Sequence, residues 1–402
     1  MKVEQIYSIL NTAVQETLGE TAVVNEDLSN IVSIGNEIFD ANAVDKYVKK
    51  LINHIGKVVY VNRQYKGFSP DIMMDSWEFG SILEKIDSDM PDAETNPSWQ
   101  LTHGETYNQD KFYEPKNVRA KFFNDMTSYQ IPISITEMQV KMSFSNVTQL
   151  NAFFSMIYTK IQNRLTINND NLKMRTIGNM ACATAFKEYQ SGTVFSGASH
   201  TRAVNLLSLY REEGKDAENA LTPQTCLKNL DFLKFAAYTI KMYSKRMTAM
   251  STLFNMENRE RFTETKLQKI VMLEDFASAA DVYLQSDTFH NEMVKLPNAE
   301  TVPYWQGTGT DYGFGSISTM HYQVKADTHD NTADTWEIKN QEVTLSGVLC
   351  CIFDRDALGV NNYNQRVPTH VNAMGEFINN FYKVDARYFN DYGENFVVFF
   401  VA

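Results

Sequence analysis

The sequence predicts an α+β fold, and three segments carry that prediction. Gly347–Phe353 is an unbroken apolar run too short for a helix, and the polar turn Asp354–Asp356 follows it, as at the end of a buried strand. Phe396–Val401 is a second apolar strand, and it must be packed, because chain ends are loose unless a sheet ties them down. A helical pattern of about 40 residues runs from Asn146 to Phe186. Between the two strands the sequence predicts a tight turn and a helix.

The first 56 residues are expected to form an N-terminal arm. Apolar residues recur at helical spacing before Gly19, and Ile6 and Leu10 belong to that stripe. A second helix is predicted over residues 43–55. Helices this short gain most of their stability by laying an apolar face on another surface. Ile6 and Leu10 are therefore candidate interface residues, against the body of the same chain or a neighbouring subunit.

Residues 57–130 change in character to extended segments such as Val118–Phe123, around an acidic, turn-rich stretch, Asp87–Pro97. An excursion of this kind is marginal alone, because isolated two-stranded ribbons are barely stable in water. Trp77 and Trp99 lie in this excursion, and interfaces recruit aromatic residues that lie outside the core. Both are candidate subunit-interface residues, although a tryptophan also serves to anchor a long loop.

The rest of the chain is divided into three segments. Residues 131–189 combine an alternating strand, Ile131–Thr136, with the long helix, in which Asn168–Asn171 is a candidate kink. Residues 190–365 form a mixed lobe, and residues 366–402 return to the closing strand. Within the lobe the sequence predicts helices at 230–254 and 277–284, a strand at 269–273, and a hairpin of 319–325 with 335–339 across a polar tip at 327–331. Trp305 and Trp336 fall in loop or excursion segments of this lobe rather than in the long helices.

Composition and charge exclude several classes of protein. The chain has 402 residues, 43% of them hydrophobic, enough for two or three lobes with cores of their own. A net charge of −12 argues against a dedicated nucleic-acid-binding protein, whose footprint is a basic patch, but not against a shell that encloses DNA. No apolar run reaches the length of a transmembrane helix, and an acid stands where a signal peptide is apolar. We expect no membrane partner and a cytosol-like compartment.

The sequence indicates no catalytic, cofactor or metal site. The glycine run Gly307–Gly315 lacks the Lys-Ser/Thr of a phosphate loop and opens no evident helix, so a surface loop is favoured. Asp354 and Asp356 lack a third ligand nearby, and Cys350 and Cys351 face opposite sides of a strand. For the thiols of Cys182 and Cys226, a structural role is favoured over a nucleophile paired with a distant histidine, because the signatures of such enzymes are absent. For the basic stripe of Lys234, Lys241 and Lys245, a solvated face is favoured, with a subunit contact as the alternative.

The order of elements resembles that of major capsid proteins of tailed double-stranded DNA bacteriophages, in particular the short-tailed, phi29-like group with the HK97 fold. The resemblance is carried by the strand Gly347–Phe353 with its acidic turn, the return segment Asn379–Tyr388 and the closing strand Phe396–Val401. It implies an N-terminal arm (1–56), an extended β-rich E-loop (57–130), a P-domain with a long spine helix and sheet (131–189), an A-domain (190–365) and a P-domain return with the closing strand (366–402).

The resemblance implies a structural protein rather than an enzyme, without cofactors. Copies would assemble as hexamers and pentamers into the icosahedral head around the double-stranded DNA genome. The implied partners are the chain itself, a separate scaffolding protein, a portal at one vertex, and packaged DNA held without sequence-specific binding. No long charged segment precedes the arm, so we expect no fused scaffolding segment, and we expect a non-covalent shell. The expected location is the virion capsid, after assembly in the host cytoplasm.

Two alternatives stay open on sequence grounds. The first is an encapsulin-type protein compartment, a shell of the same fold that carries an enzyme cargo instead of DNA. The second comes from a different class: a cytosolic enzyme with its site near Gly307–Gly315, which would be a small oligomer with ligand-dependent melting.

Overall fold

The structure, a computed structural model, describes residues 11–12, 14–16, 18–19, 63–74, 83–106, 112–136, 147–197, 201–285, 299–306, 311–330, 335–375 and 377–402. The chain divides into two compact units. The first unit holds Met1–Lys66, Ile131–Thr166 and Val367–Tyr382, and the second holds Gly67–Gln130, Ile167–Arg366 and Lys383–Ala402. The division into five domain segments stays a prediction.

Helices and strands both run through the described residues. The helices are α1 (Val147–Tyr189), α2 (Leu206–Glu212), α3 (Leu230–Arg246), α4 (Glu274–Gln285) and the single turn α5 (Phe314–Ile317), with 3₁₀ turns at Pro97–Trp99 and Cys226–Lys228. The strands are β1 (Leu83–Asp87), β2 (Arg119–Phe123), β3 (Met126–Thr136), β4 (Ala203–Asn205), β5 (Gln268–Leu273), β6 (Ala299–Val302), β7 (Met320–Asp330), β8 (Thr335–Leu345), β9 (Val348–Asp354), β10 (Leu358–Arg366), β11 (Thr369–Asn372), β12 (Phe377–Asn390) and β13 (Phe396–Phe400).

The N-terminal helix ends where its sequence predicts. The described residues between positions 11 and 18 are helical. Gly19 closes the helix: its N–H donates to the Gln15 carbonyl at 2.9 Å, and its φ is +108°. A positive φ of this kind is the usual glycine conformation just past a helix end. Val14 is 2% exposed, so this turn of the helix is packed. The helix predicted over 43–55 lies outside the described residues.

The long helix α1 is continuous over 43 residues, a length of about 65 Å. The helix is uninterrupted through Asn168–Asn171, where the sequence predicts a candidate kink. The Asp170 carboxylate accepts hydrogen bonds from the Ser69 hydroxyl at 2.6 Å and from the Phe68 N–H at 3.2 Å. Because this side chain binds the neighbouring loop, it does not compete for the hydrogen bonds of its own helix. Gly67 allows the close approach, since a Cβ there would lie 2.7 Å from an Asp170 oxygen.

The core of the second unit is a five-stranded sheet in the order β4-β13-β9-β5-β6. Every residue of β9 and β13 is buried. Phe399 packs edge-on against Tyr243 of α3, and Phe400 packs against Tyr189 of α1. Adjacent strand residues point to opposite faces, so different helices cover the two faces of β13. A strand buried on both faces reads as a continuous apolar run, which is why the predictions of β9 and β13 are confirmed.

The closing strand and the strand predicted at Ile131–Thr136 lie in different sheets. In the structure that strand belongs to β3, which pairs with β12, whereas β13 lies between β4 and β9. Because β13 is apolar on both faces, it needs a helix on each side, and the sheet between α1 and α3 supplies both.

The helix predicted between the last two core strands is wrong. The described residues of that stretch form β10, β11 and β12, and β12 pairs with β10 through Lys383–Asn390 and with β11 through Phe377–Asn380. Asparagine and aromatic residues, which dominate β12, are poor helix formers, and aromatics fit a paired strand. Local pattern alone did not show the neighbouring strands that decide the outcome.

The predicted elements of the mixed lobe are confirmed at β5 and α4, with changes elsewhere. The helix predicted over 230–254 ends at Arg246. The hairpin is longer than predicted, because β7 and β8 pair without a break from Met320 opposite Leu345 to Asp330 opposite Thr335. Residues 327–330, predicted as a polar tip, are therefore strand. Polarity suggested a turn there, but backbone pairing in a ribbon does not require buried side chains.

Candidate assembly surface

The excursion between residues 83 and 126 starts and ends in a two-stranded ribbon, β1 with β2. Ile86 lies opposite Ala120, and Glu84 lies opposite Phe122, and all four point to the same face. On this outer face Ile86 is 68% exposed and Phe122 is 62% exposed. The alternate residues of both strands face inward and are partly buried, except Arg119 at the start of β2, which is exposed. The ribbon therefore turns apolar side chains to solvent.

Charged residues occupy the inner face of the ribbon. Lys85 and Lys121 lie directly opposite each other, an arrangement that repels unless an anion is shared. Asp391 supplies that anion: its carboxylate lies 3.1 Å from the Lys85 ammonium and 2.6 Å from the Lys121 ammonium. Burial opposes the ionisation of Asp391, but Lys85 and Lys121 outweigh it and hold its pKa below the ordinary value.

A second group of ion pairs continues the network from β1 to the loop before β5. Asp87 accepts hydrogen bonds from Arg259, at 3.0 Å, and from Arg261. The Arg259 Nε lies 2.7 Å from Glu257, and the Arg261 Nε lies 3.5 Å from Glu394. Burial raises the pKa of Glu394 to about 6, against the opposing field of Arg261. Residues from three distant parts of the sequence thus hold one face of the ribbon.

An aromatic pair supports the same face. The rings of Phe123 and Phe389 lie 5.2 Å apart, and the Lys85 ammonium lies 5.9 Å and 5.1 Å from their centroids. Such cation–π contacts stabilise a partly desolvated lysine. The ribbon is therefore attached to its own subunit by charges and one aromatic pair, and its remaining apolar surface stays outside.

Large apolar side chains are exposed along the rest of the excursion as well. These are Met90, Trp99, Leu101, Phe112, Tyr113, Val118 and Met126. Single exposed apolar residues are ordinary, but a concentration of them on one segment marks an interaction surface. The excursion therefore carries the candidate assembly surface.

Of the predicted interface residues, Trp99 lies on this surface. It is 91% exposed in the 3₁₀ turn Pro97–Trp99. Trp77, Ile6 and Leu10 lie outside the described residues. No contact with another subunit tests any of the four, and their role stays a prediction.

Two other tryptophans lie outside the long helices, as the sequence predicts. Trp305 follows β6 in a loop, but it is 1% exposed, and its indole N–H donates to the Val348 carbonyl at 2.8 Å, so it anchors this loop to the core sheet. Trp336 lies in β8, in the hairpin strand predicted for it. An indole that is buried with its N–H satisfied is a packing residue rather than a contact for a partner.

The candidate thiols do not have the environment of nucleophiles. Burial raises the pKa of Cys182 and of Cys226 to about 12, so both remain protonated thiols at neutral pH. Cys350 and Cys351 are fully buried in β9, and burial raises the pKa of each. They pair with Phe399 and Val398 of β13, on opposite faces, as the sequence predicted.

The remaining candidate sites have structural explanations. Asp354 accepts hydrogen bonds from the Thr263 hydroxyl at 2.7 Å and from the Asp356 N–H at 2.9 Å, which makes it a buried turn residue. The described residues contain no group of three side chains that could hold a metal ion. Residues 307–310 of the glycine run lie outside the described residues, and the run leads into the one-turn helix α5, which the sequence did not predict.

A buried core sheet with an apolar excursion that the described residues leave exposed is typical of a subunit that assembles with other polypeptides. A family model of Phi29-like phage major capsid proteins matches residues 8–400. The chain belongs to this family: it is a structural protein of the phage virion capsid that associates with copies of itself, and it is not an enzyme. The cytosolic enzyme and the encapsulin-type compartment are thereby set aside.

Solved phage structures share the HK97-like fold. A chain in the capsid structure of Staphylococcus phage Andhra matches with a TM-score of 0.55 at 9% identity, over 86% of this chain and 87% of that chain. A chain in the structure of the head fiber and inner core protein gp22 of native bacteriophage P68 matches with a TM-score of 0.53 at 8% identity, over 86% and 88%. No curated protein matches the sequence. Among the described residues, no helix is long and apolar enough to cross a membrane.

Proposed function

We propose that the chain builds an icosahedral head around the double-stranded DNA genome, and that the outer face of the β1–β2 ribbon lies on a neighbouring copy. The exposure of Ile86 and Phe122 above an inward-facing charge network carries the proposal. Full burial of side chains of this size stabilises by about 1.5–3 kcal/mol each. Since symmetry repeats one contact in every copy, modest contacts add up to a stable shell.

The charge network determines which face of the ribbon points inward, and it involves none of the exposed apolar side chains. Lys85, Lys121 and Asp391 hold the inner face. The subunit thus presents its assembly surface before a partner arrives, which lowers the entropic cost of association.

In this proposal the five predicted segments have the roles that the family resemblance implies. The segments are the arm (1–56), the E-loop (57–130), the P-domain with its spine helix (131–189), the A-domain (190–365) and the return with the closing strand (366–402). Copies group as hexamers and pentamers. Trp99 adds to the ribbon contact, and Trp77, Ile6 and Leu10 are further candidate contacts.

The other partners also follow from the family. They are a separate scaffolding protein, a portal at one vertex, and packaged DNA that is enclosed without sequence-specific recognition, with assembly in the host cytoplasm. The net charge of −12 supports enclosure rather than tight binding, because a strongly acidic shell does not adhere to a polyanion.

A double substitution on the outer face, Ile86→Ser with Phe122→Ser, tests the proposal in the full-length chain expressed with its scaffolding protein. We expect folded, unassembled subunits in sedimentation and negative-stain images, where the parent chain forms shell-like particles. Phe262→Ser is the matched control, since Phe262 is 50% exposed outside the excursion. Normal particles from the double variant would contradict the ribbon contact, and a parent chain that stays a small oligomer would contradict the shell.

A further inference from the structure

Helix α3 turns a basic row to solvent. Lys234, Tyr238, Lys241 and Lys245 recur at intervals of three or four residues and are all exposed, and Tyr238 is 66% exposed. Asp231 precedes them in the first turn, where the helix N-terminus favours an acid. These four residues, the basic face, combine positive charge with an aromatic side chain in a chain whose net charge is −12.

Helix α4 packs against α3 and turns an acidic row to solvent. Glu274, Asp275, Asp281 and Val282 form this acidic face, and Val282 is 67% exposed, while Phe276 on the opposite side is buried. Burial and the adjacent Glu274 carboxylate raise the pKa of Asp275. Crowded carboxylates of this kind are relieved when a cation is brought to them.

The two faces are complementary in chemistry. Each has an exposed apolar or aromatic side chain, Tyr238 or Val282, flanked by charges of one sign. Protein interfaces have this composition, with an aromatic or aliphatic centre and a polar rim. Opposite charges across the contact favour correct partners and oppose wrong ones.

The complementary faces allow two kinds of contact between copies. A two-fold contact can set the basic face of each copy against the acidic face of the other, and it closes at a dimer. A head-to-tail contact sets the basic face of one copy against the acidic face of the next, and repetition of that contact closes a ring. The hexamers and pentamers of the proposed shell are rings, so the head-to-tail contact is the one that fits it.

We infer that the basic face of α3 on one copy binds the acidic face of α4 on the adjacent copy within a ring of subunits. The inference rests on the proposed shell function and assigns this part of the lobe to contacts within a ring, separate from the ribbon surface.

Two charge-reversed full-length chains test it. The acidic variant carries Lys241→Glu and Lys245→Glu, and the basic variant carries Asp275→Lys and Asp281→Lys. Each variant alone presents two faces of like charge, so we expect its self-association to weaken about tenfold relative to the parent chain. The mixture presents opposite charges again, so we expect it to associate at low ionic strength and to dissociate as salt screens the contact. Analytical ultracentrifugation measures both.

Three controls make the outcome decisive. Circular dichroism confirms that the variants fold, and Lys245→Glu and Asp281→Lys alone replace the doubles if either does not. Lys266→Glu, at an exposed lysine outside both faces, must leave association unchanged. A mixture that associates no better than either variant alone overturns the inference. So does an acidic variant that loses only the binding of duplex DNA and keeps its self-association. Because the mixture is measured without shells, these results are independent of whether the parent forms particles.

Discussion

β13 and β1 are both strands of five residues, and they use those residues in opposite ways. All five residues of β13 are apolar and buried between α1 and α3. In β1 the inward residues include Lys85 and Asp87, and the outward Ile86 is exposed. The subunit buries both faces of β13, whereas the described residues leave the outer face of β1 exposed. Substitutions that impair folding and substitutions that impair assembly should therefore fall in different parts of the molecule.

The largest effect is expected at Gly347, where the core sheet meets the chain end. A Cβ at this position would lie 2.0 Å from the Val401 carbonyl oxygen, and the residue has a φ of +71°. Gly347→Ala should therefore destabilise the unassembled subunit by more than about 4 kcal/mol, measured by urea unfolding. Gly214→Ala is the matched control, since Gly214 has a φ of +73° and open space around it, and should cost only about 1 kcal/mol. Equal effects of Gly347→Ala and Gly214→Ala would show that the end of β13 can move away from residue 347 without loss of stability.

The comparison is sharpest for one change made in both strands. Phe399→Ala removes a fully buried ring that packs on Tyr243, and should destabilise the subunit by about 3–5 kcal/mol. Phe122→Ala removes an exposed ring and should change that stability by less than about 0.5 kcal/mol. Phe122→Ala should lower the yield of particles, whereas the amount of folded subunit should stay unchanged. A Phe122→Ala chain that unfolds as readily as Phe399→Ala would remove the distinction.

The sequence predicts β13 and the core sheet better than it predicts the β1–β2 ribbon. The apolar runs of β9 and β13 and the 43-residue stripe of α1 are local signals, because burial on both faces leaves an unbroken apolar pattern. The pairing of β3 with β12 was not predictable in this way. β12 has no pattern that distinguishes a strand from a helix until its neighbours are known.

The candidate assembly surface was predicted as an excursion, but its charge network was not. Ile86 alternates with Lys85 and Asp87, which in isolation suggests that the apolar Ile86 faces inward. The structure has the reverse for Ile86, because Asp391 comes from a segment some 300 residues later in the chain and pairs with Lys85. A contact between such distant segments leaves no local signature in one sequence.

A moderate effect is expected when the network itself is broken. Asp391→Asn leaves Lys85 and Lys121 opposed without a shared carboxylate, and should cost about 1–3 kcal/mol, since both lysines keep some access to water. We expect faster proteolytic cleavage within residues 83–126 while the core unfolds with normal cooperativity. Asp92→Asn is the control, because Asp92 pairs with Lys116 at an exposed position, and it should leave cleavage unchanged. Uniform loss of protection over the whole chain would contradict a local role.

The smallest effect is a pH dependence at the end of the same network. Burial raises the pKa of Glu394 to about 6 from an ordinary value of 4.5. Between these values the folded chain binds more protons at this site than the unfolded chain, so stability falls as pH rises from 4.5 through 6. Asp391, whose pKa is lowered, acts in a separate window: its contribution is present above 3.8 and is lost as pH falls through its folded value.

Glu394→Gln should remove the Glu394 part of this slope. The variant should match the parent subunit near pH 4.5 and exceed its free energy of unfolding by about 1–2 kcal/mol above pH 6, because the amide carries no charge to bury. Urea unfolding at a series of pH values measures the difference. Glu264→Gln is the control, since Glu264 is half exposed beside Lys266. If the free energies of unfolding of the parent and of Glu394→Gln run parallel over this pH range, Glu394 does not contribute to the pH dependence. The ribbon is then held by the ion pairs of Asp391 and Asp87, and its difference from the apolar β13 does not depend on Glu394.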